Sequence, residues 1–171
     1  MFMDFIRNNK IAAGILTFVR LYLGWSWMTA GWGKITGEEG FNAAGYLNGV
    51  VANEMVMEQY PTYHAFIESF ALPNAGIFSF MVAWGEFAVG LGLLLGILTT
   101  AAAFFGIMMN FAFMFAGTIS SNPFMILLTI FILAAGYNSG RIGGDRWVIP
   151  YIRTVLFRGK LKGAGLQGQA V

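Results

Sequence analysis

Residues 77–117 read IFSFMVAWGEFAVGLGLLLGILTTAAAFFGIMMNFAFMFAG, 41 residues with a single charge, Glu86. A hydrocarbon core of ~30 Å is crossed by about 20 helical residues rising ~1.5 Å each. One helix of this length would reach about 61 Å, twice the core, so the stretch must fold back. The turn is expected between Gly96 and Thr100. There Gly96 ends one helix, and Thr99 or Thr100 caps the next. Spans over about 77–97 and 100–117 follow.

Upstream, residues 11–33 form another apolar run, interrupted only by Arg20. Trp25, Trp27 and Trp32 lie in it and no small-x-small site follows, so it reads as a retained helix and not a cleaved signal peptide. Downstream, Thr118 to Asn122 form a turn and Pro123 opens a fourth span over about 123–139. The fold class is therefore all-α, a membrane four-helix bundle in one domain over 1–171. Composition agrees: 57% of the 171 residues are hydrophobic, 11% are charged, and the mean hydropathy is +0.67. Soluble domains carry about 25% charged residues, and a chain this short could not hide so much apolar surface from water. A soluble domain, a disordered tail and a nucleic-acid binder are all excluded.

Four spans put both termini on one side. Residues 1–10 carry a net charge of +1, residues 34–76 carry −4 and residues 141–171 carry +5. Positive segments stay in the cytoplasm, so both termini are placed inside and residues 34–76 outside. In that outer segment, Thr36-Gly37-Glu38-Glu39 fits a capping box that would start a helix near 37. Between Pro61 and Pro73, Tyr63, Phe66, Ile67 and Phe70 fall on one helical face. Two short amphipathic helices are expected, either covering the outer mouth or resting on the bilayer interface. After Pro150, Tyr151, Ile152, Val155 and Leu156 share a face, as in an interfacial helix. The glycine-rich last nine residues are expected to be disordered.

Chemistry-bearing residues are few. The chain has no cysteine and one histidine, His64, which removes disulfides, iron–sulfur clusters, zinc–thiolate sites and a haem held by two of its own imidazoles. No metal set is expected. An ionisable group within a span is a functional candidate by default. Arg20 lies nine residues into the first span from inside, and Glu86 lies nine residues into the second from outside, each about 14 Å deep. Asn110 falls near the middle of the third span. Glycines beside each charge (Gly24, Gly31, Gly90) permit close helix approach. An Arg20–Glu86 contact with Asn110 nearby is expected. Its alternatives are a structural pair fixing register, or a ligand pocket in which Trp27, Trp84 and Asn110 flank a flat ring such as a quinone. Trp25, Trp32 and Trp147, near span ends, read as interface anchors.

Three motifs resemble the DoxX/DoxD-like membrane proteins. They are Arg20-x-x-x-Gly24 with Gly31-Trp32-Gly33-Lys34, Gly85-Glu86-x-x-x-Gly90 followed by Gly96 and Thr99, and Gly140-Arg141-x-Gly143-x-Asp145. The resemblance covers roughly residues 10–150, and the long 34–76 segment with Trp84-Gly85-Glu86 is closer to the DoxD-like branch. Where the family often has Ser, this chain has Gly143. The resemblance implies a four-helix protein of the bacterial or archaeal cytoplasmic membrane. It further implies thiosulfate:quinone oxidoreduction, with Arg20, Lys34, Glu86, Arg141 and Asp145 at the matching positions.

Three functions stay open. The first is a quinone-binding oxidoreductase component, with Arg20 and Glu86 as the catalytic pair. Only Lys34 and His64 offer side-chain cations outside, against five carboxylates, so capture of a sulfur anion calls for a redox partner subunit. The second is a non-catalytic anchor or assembly subunit. The third is a small-molecule transporter or binding protein. Gly92 and Gly96 form a small-xxx-small pair compatible with a homo-oligomer.

Overall fold

Asn9 ends a first short helix, α1 (Phe2–Asn8), and starts a long one, its side chain accepting from Ile11 N and Ala12 N. The computed structural model describes the backbone of residues 1–37 and 40–165 and the side chains as far as residue 155. α2 (Lys10–Thr36, 27 residues) and α6 (Ala75–Leu95, 21 residues) are each long and apolar enough to cross a membrane. α7 (Thr99–Phe115) and α8 (Asn122–Ala135) are shorter apolar helices. α8 falls short of the expected 139 because Gly136, at φ 55° and ψ −127°, breaks it. The chain restarts as the brief α9 (Tyr137–Gly140) and ends in α10 (Asp145–Gly165).

α2 and α6 run antiparallel with their backbones in contact. A Cβ on Gly24 would lie 2.8 Å from Leu94 N, one on Gly31 would strike Phe87 N, and one on Gly90 would strike Met28 N. Glycine at the crossing lets helices approach without steric cost. Leu16, Leu23, Trp27, Val89, Leu93, Ala103, Met125 and Ile132 fill the core between α2, α6, α7 and α8. Trp25, Trp32 and Trp147 are all more than half exposed.

The outer segment departs from two amphipathic helices. It forms α3 (Ala43–Val51), α4 (Glu54–Gln59) and α5 (Pro61–Phe66), and α5 runs into a π-helical turn over Ile67–Ala71. α3 begins at Ala43, capped by Asn42, rather than near 37. Glu38 and Glu39 of the expected capping box lie outside the described residues. The expected face splits. Ile67 is buried while Phe66, at the end of α5, and Phe70 are exposed, and the wider π turn over Ile67–Ala71 carries Phe70 off the face and buries Ala71 instead. Ala43, Leu47, Val50, Val56, Ile67, Ala71 and Ala116 make a second core that seats this segment on the N-terminal end of α6 and the C-terminal end of α7. Residues 166–171, most of the tail expected to be disordered, lie outside the described residues.

Two phenols fix that seat. Tyr63 Oη donates to Ala112 O at 2.9 Å, and Tyr46 Oη pairs with Thr118 Oγ1 at 2.9 Å. Burial, with Tyr46 close by, pushes the Tyr63 phenol up to about 12. Its contribution to stability is complete below pH 10 and is lost as pH rises from about 10 to about 12. The thermal midpoint should fall across that window, and Tyr63→Phe should flatten the fall. In the helix crossing, Gly90→Val should cost about 3 kcal/mol or more by overpacking against Met28. Gly14→Ala, with nothing within 4 Å of the new Cβ, should gain about 0.5–1 kcal/mol. Thermal unfolding in detergent, followed by circular dichroism, reads both.

Candidate functional site

The crossing register separates the two charges that depth arithmetic had paired. Arg20 comes level with the C-terminal end of α6, not with its middle. Its Nη1 donates to Leu93 O at 2.7 Å and Leu94 O at 3.4 Å, and its Nη2 donates to Ile142 O at 2.9 Å. These carbonyls include acceptors that the end of α6 leaves unpaired, and the negative end of the helix dipole favours the cation. Glu86 lies at the midpoint of α6. Its Oε2 receives Lys34 Nζ at 2.6 Å. Along α2, Arg20 and Lys34 are about 21 Å apart. The expected Arg20–Glu86 contact is therefore replaced by Lys34–Glu86. α2 continues three residues beyond the apolar run, which brings Lys34 within reach of the carboxylate.

Arg20 belongs to a clamp around the α6–α7 turn. Gly96 ends α6 in the left-handed region, as the sequence suggests, at φ 64°. The N-cap of α7 is Leu98, without a side-chain cap, rather than Thr99 or Thr100. Asp145 supplies the missing acceptors from 46 residues away: Leu98 N donates to Oδ1 at 2.6 Å and Thr99 N to Oδ2 at 3.1 Å. Gly144 N donates to Leu95 O and Asp145 N to Gly96 O. A Cβ on Gly143 would lie 3.0 Å from Gly96 Cα and 3.2 Å from Arg20 Nη1, so glycine suits the close approach here. The motif Gly140-Arg141-x-Gly143-x-Asp145 is a docking strap on this turn, and Arg141 is exposed on its rim.

A different arrangement occupies the middle of the bundle. Asn110 is fully buried, and neither its Nδ2 nor its Oδ1 has a partner. Trp27, 3% exposed, has an unpartnered Nε1. That nitrogen lies 3.2 Å from where a Cβ on Gly106 would stand, one helical turn from Asn110 on the same buried face of α7. A Cβ on Gly85 would lie 3.6 Å from Met109 Sδ, which sets residues 85 and 109 side by side. Glu86 and Asn110 thus lie at one level, with Trp27 about a turn further in. Lys34, whose side chain is 26% exposed, links Glu86 to the C-terminal end of α2.

The remaining candidates lie elsewhere. Trp84 is half exposed and packs on Phe80 and Phe87, so it does not line the interior with Asn110. His64 is buried in the outer segment, with Nε2 at 2.9 Å from Val51 O and Nδ1 at 3.9 Å from Glu68 Oε2. Among the described residues no group of three metal-ligating side chains occurs. Two surface cavities of about 450 and 480 Å³ lie at the α7–α8–α10 corner and beside Tyr60 and Tyr63. Neither is lined by Arg20, Trp27, Glu86 or Asn110.

The Asp145 carboxylate is satisfied and the Asn110 amide is not, although Arg20 Nε and Thr99 Oγ1 in the clamp also lack partners, so changes at Asp145 and Asn110 should differ in their effect on stability. Asp145→Ala removes a cap and strands two buried N–H groups, at a cost of about 2 kcal/mol, and Asp145→Asn should cost less. Asn110→Leu removes unpaired polar atoms without loss of volume, and should leave the ligand-free protein as stable or about 1 kcal/mol more stable. Unfolding midpoints of the three variants check this.

Residues 15–118 match the DoxX family. That stretch runs from α2 through α7 and holds Arg20, Lys34, Glu86 and Asn110, while the strap at 140–145 lies beyond it. No curated protein and no solved structure matches the chain. DoxX proteins are membrane proteins, in accord with the two long apolar helices. With more than half of its length matched, the chain belongs to the DoxX family.

Proposed function

We propose that this chain is the quinone-binding membrane component of an oxidoreductase, of the DoxD-like kind. In this reading α2, α6, α7 and α8 all span the cytoplasmic membrane, and both termini face the cytoplasm. The observation that carries it is the unpartnered pair in the middle of the bundle, Asn110 with Trp27 Nε1. A buried amide left without partners costs about 1–3 kcal/mol, so its presence points to an occupant that completes it. The two donors, Asn110 Nδ2 and Trp27 Nε1, suit the carbonyls of a quinone, Asn110 Oδ1 suits the hydroxyl of the reduced quinol, and the core side chains nearby are apolar. When bound, the quinone supplies two-electron, two-proton redox chemistry. Asn110 and Trp27 orient the ring, and packed core side chains exclude water. Glu86 holds Lys34 Nζ at the same level, and the lysine side chain, 26% exposed, is the route by which a proton would exchange with the outer phase. Arg20 acts as a positioning residue, since its guanidinium is committed to the α6–α7 turn. The chain has no cysteine, so electrons from a sulfur or other small reductant arrive through a partner.

A second reading, a non-catalytic anchor or assembly subunit, is favoured by one observation: two of the motif residues, Arg20 and Asp145, serve to hold the turn. Lipid extraction from protein purified in mild detergent separates the two. The quinone reading expects near-stoichiometric quinone in the wild type and at least a tenfold loss, roughly 1.4 kcal/mol, in Asn110→Leu. Equal quinone in Asn110→Leu contradicts the site. Absence of quinone together with a co-purifying soluble redox protein supports the anchor.

A further inference from the structure

We propose that the corner between α7, α8 and α10 is a binding site for an anionic phospholipid of the inner leaflet. One acyl chain lies in the groove, and the headgroup is held by Arg146 and Arg153. The site involves no quinone, but it rests on the proposed topology, in which α7 and α8 span the membrane and residues 141–171 face the cytoplasm. The groove, of about 450 Å³, is lined by Leu98, Ala101, Phe104, Phe105, Leu133 and Ile149, with Thr100 as its one hydroxyl. Leu98 to Phe105 spans about 10 Å along α7, so the groove runs from the turn into the acyl region of a leaflet.

Ile149 brings α10 to the groove, and the same helix brings the charges. Arg146 and Arg153 stand three residues before and four after Ile149, on one helical face, and both are exposed. Arg146 stacks on Trp147, its Cζ 4.6 Å from the ring. Trp147 and Tyr151 are 66% and 70% exposed, the amphipathic rings expected at headgroup depth. Among the described residues no ion pair involves either arginine. Residues 141–171 carry a net charge of +5, complementary to anionic lipid. A second copy of the chain fits the corner poorly, because a two-fold contact there would set Arg146 and Arg153 against their own copies.

Native mass spectrometry tests the site, on full-length protein in mild detergent given an equimolar mixture of phosphatidylglycerol and phosphatidylcholine. Each arginine near the surface favours an anionic headgroup about fivefold, so retention of phosphatidylglycerol should exceed phosphatidylcholine roughly thirtyfold. Arg146→Gln with Arg153→Gln should bring the ratio close to one. Ala101→Phe, which fills the groove from an exposed position, should lose both lipids, with an unchanged thermal midpoint showing that the protein is folded. Equal retention by the wild type, a preference that survives the double variant, or full retention by Ala101→Phe would each overturn the proposal. So would a lipid-free dimer broken by Ala101→Phe.

Discussion

The contact between α2 and α6 sets the register of everything else. Gly24, Gly31 and Gly90 leave no room for a Cβ, so the two backbones meet over several turns and cannot slide without a clash. A side chain on α2 therefore has a fixed counterpart on α6. Arg20 meets the end of α6 and Lys34 reaches its middle. The ionisable residues within the apolar helices are consequently divided between two places about 21 Å apart, and each acquires a different partner.

The place at the C-terminal end of α6 is structural. Two chain segments far apart in sequence, Arg20 and the strap at 140–145, grip the short turn between α6 and α7 from both sides. The turn closes α6 with its own backbone, Ile97 N donating to Gly92 O and Gly96 N to Leu93 O, but Gly96-Ile97-Leu98 offers no side-chain acceptor to the first amides of α7. A cation supplied to the carbonyls of α6 and a carboxylate supplied to the amides of α7 solve the two ends together. The middle place has the opposite character. Asn110 and Trp27 bring polar atoms into the core and give them nothing to bind. Polar groups that are buried without partners lower stability.

Much of the fold was legible in the sequence, because it follows from apolar length and from local breakers. The fold-back at Gly96 and the helix opened by Pro123 are both present. The membership in the DoxX family was also readable, from short glycine and charge motifs. The pairing of charges was not legible. Depth counted inward from the edges of hydropathy assumes that helices end where the apolar run ends, and α2 runs on to Thr36. The cap on α7 was hidden for a different reason: the acceptor is Asp145, remote in sequence, whereas Thr99 and Thr100 were the local candidates. The π turn at Ile67–Ala71 likewise hides from an α-period reading of the face, since it carries Phe70 outward. Asn110 was visible as a lone amide in an apolar helix. Only the three-dimensional packing reveals that both of its polar atoms lack partners.

The pairing of Glu86 is the most direct test of this account, because it follows from the register and sets the character of the mid-bundle site. Solid-state NMR on the protein in lipid bilayers can read it, through the dipolar coupling between ¹⁵N on the lysine ammonium and ¹³C on the glutamate carboxylate. With Lys34 Nζ 2.6 Å from Glu86 Oε2, a strong lysine–glutamate coupling is predicted, and it should vanish in Lys34→Met. A coupling from the Glu86 carboxylate to the arginine guanidinium of Arg20 instead would contradict the register and the site built on it.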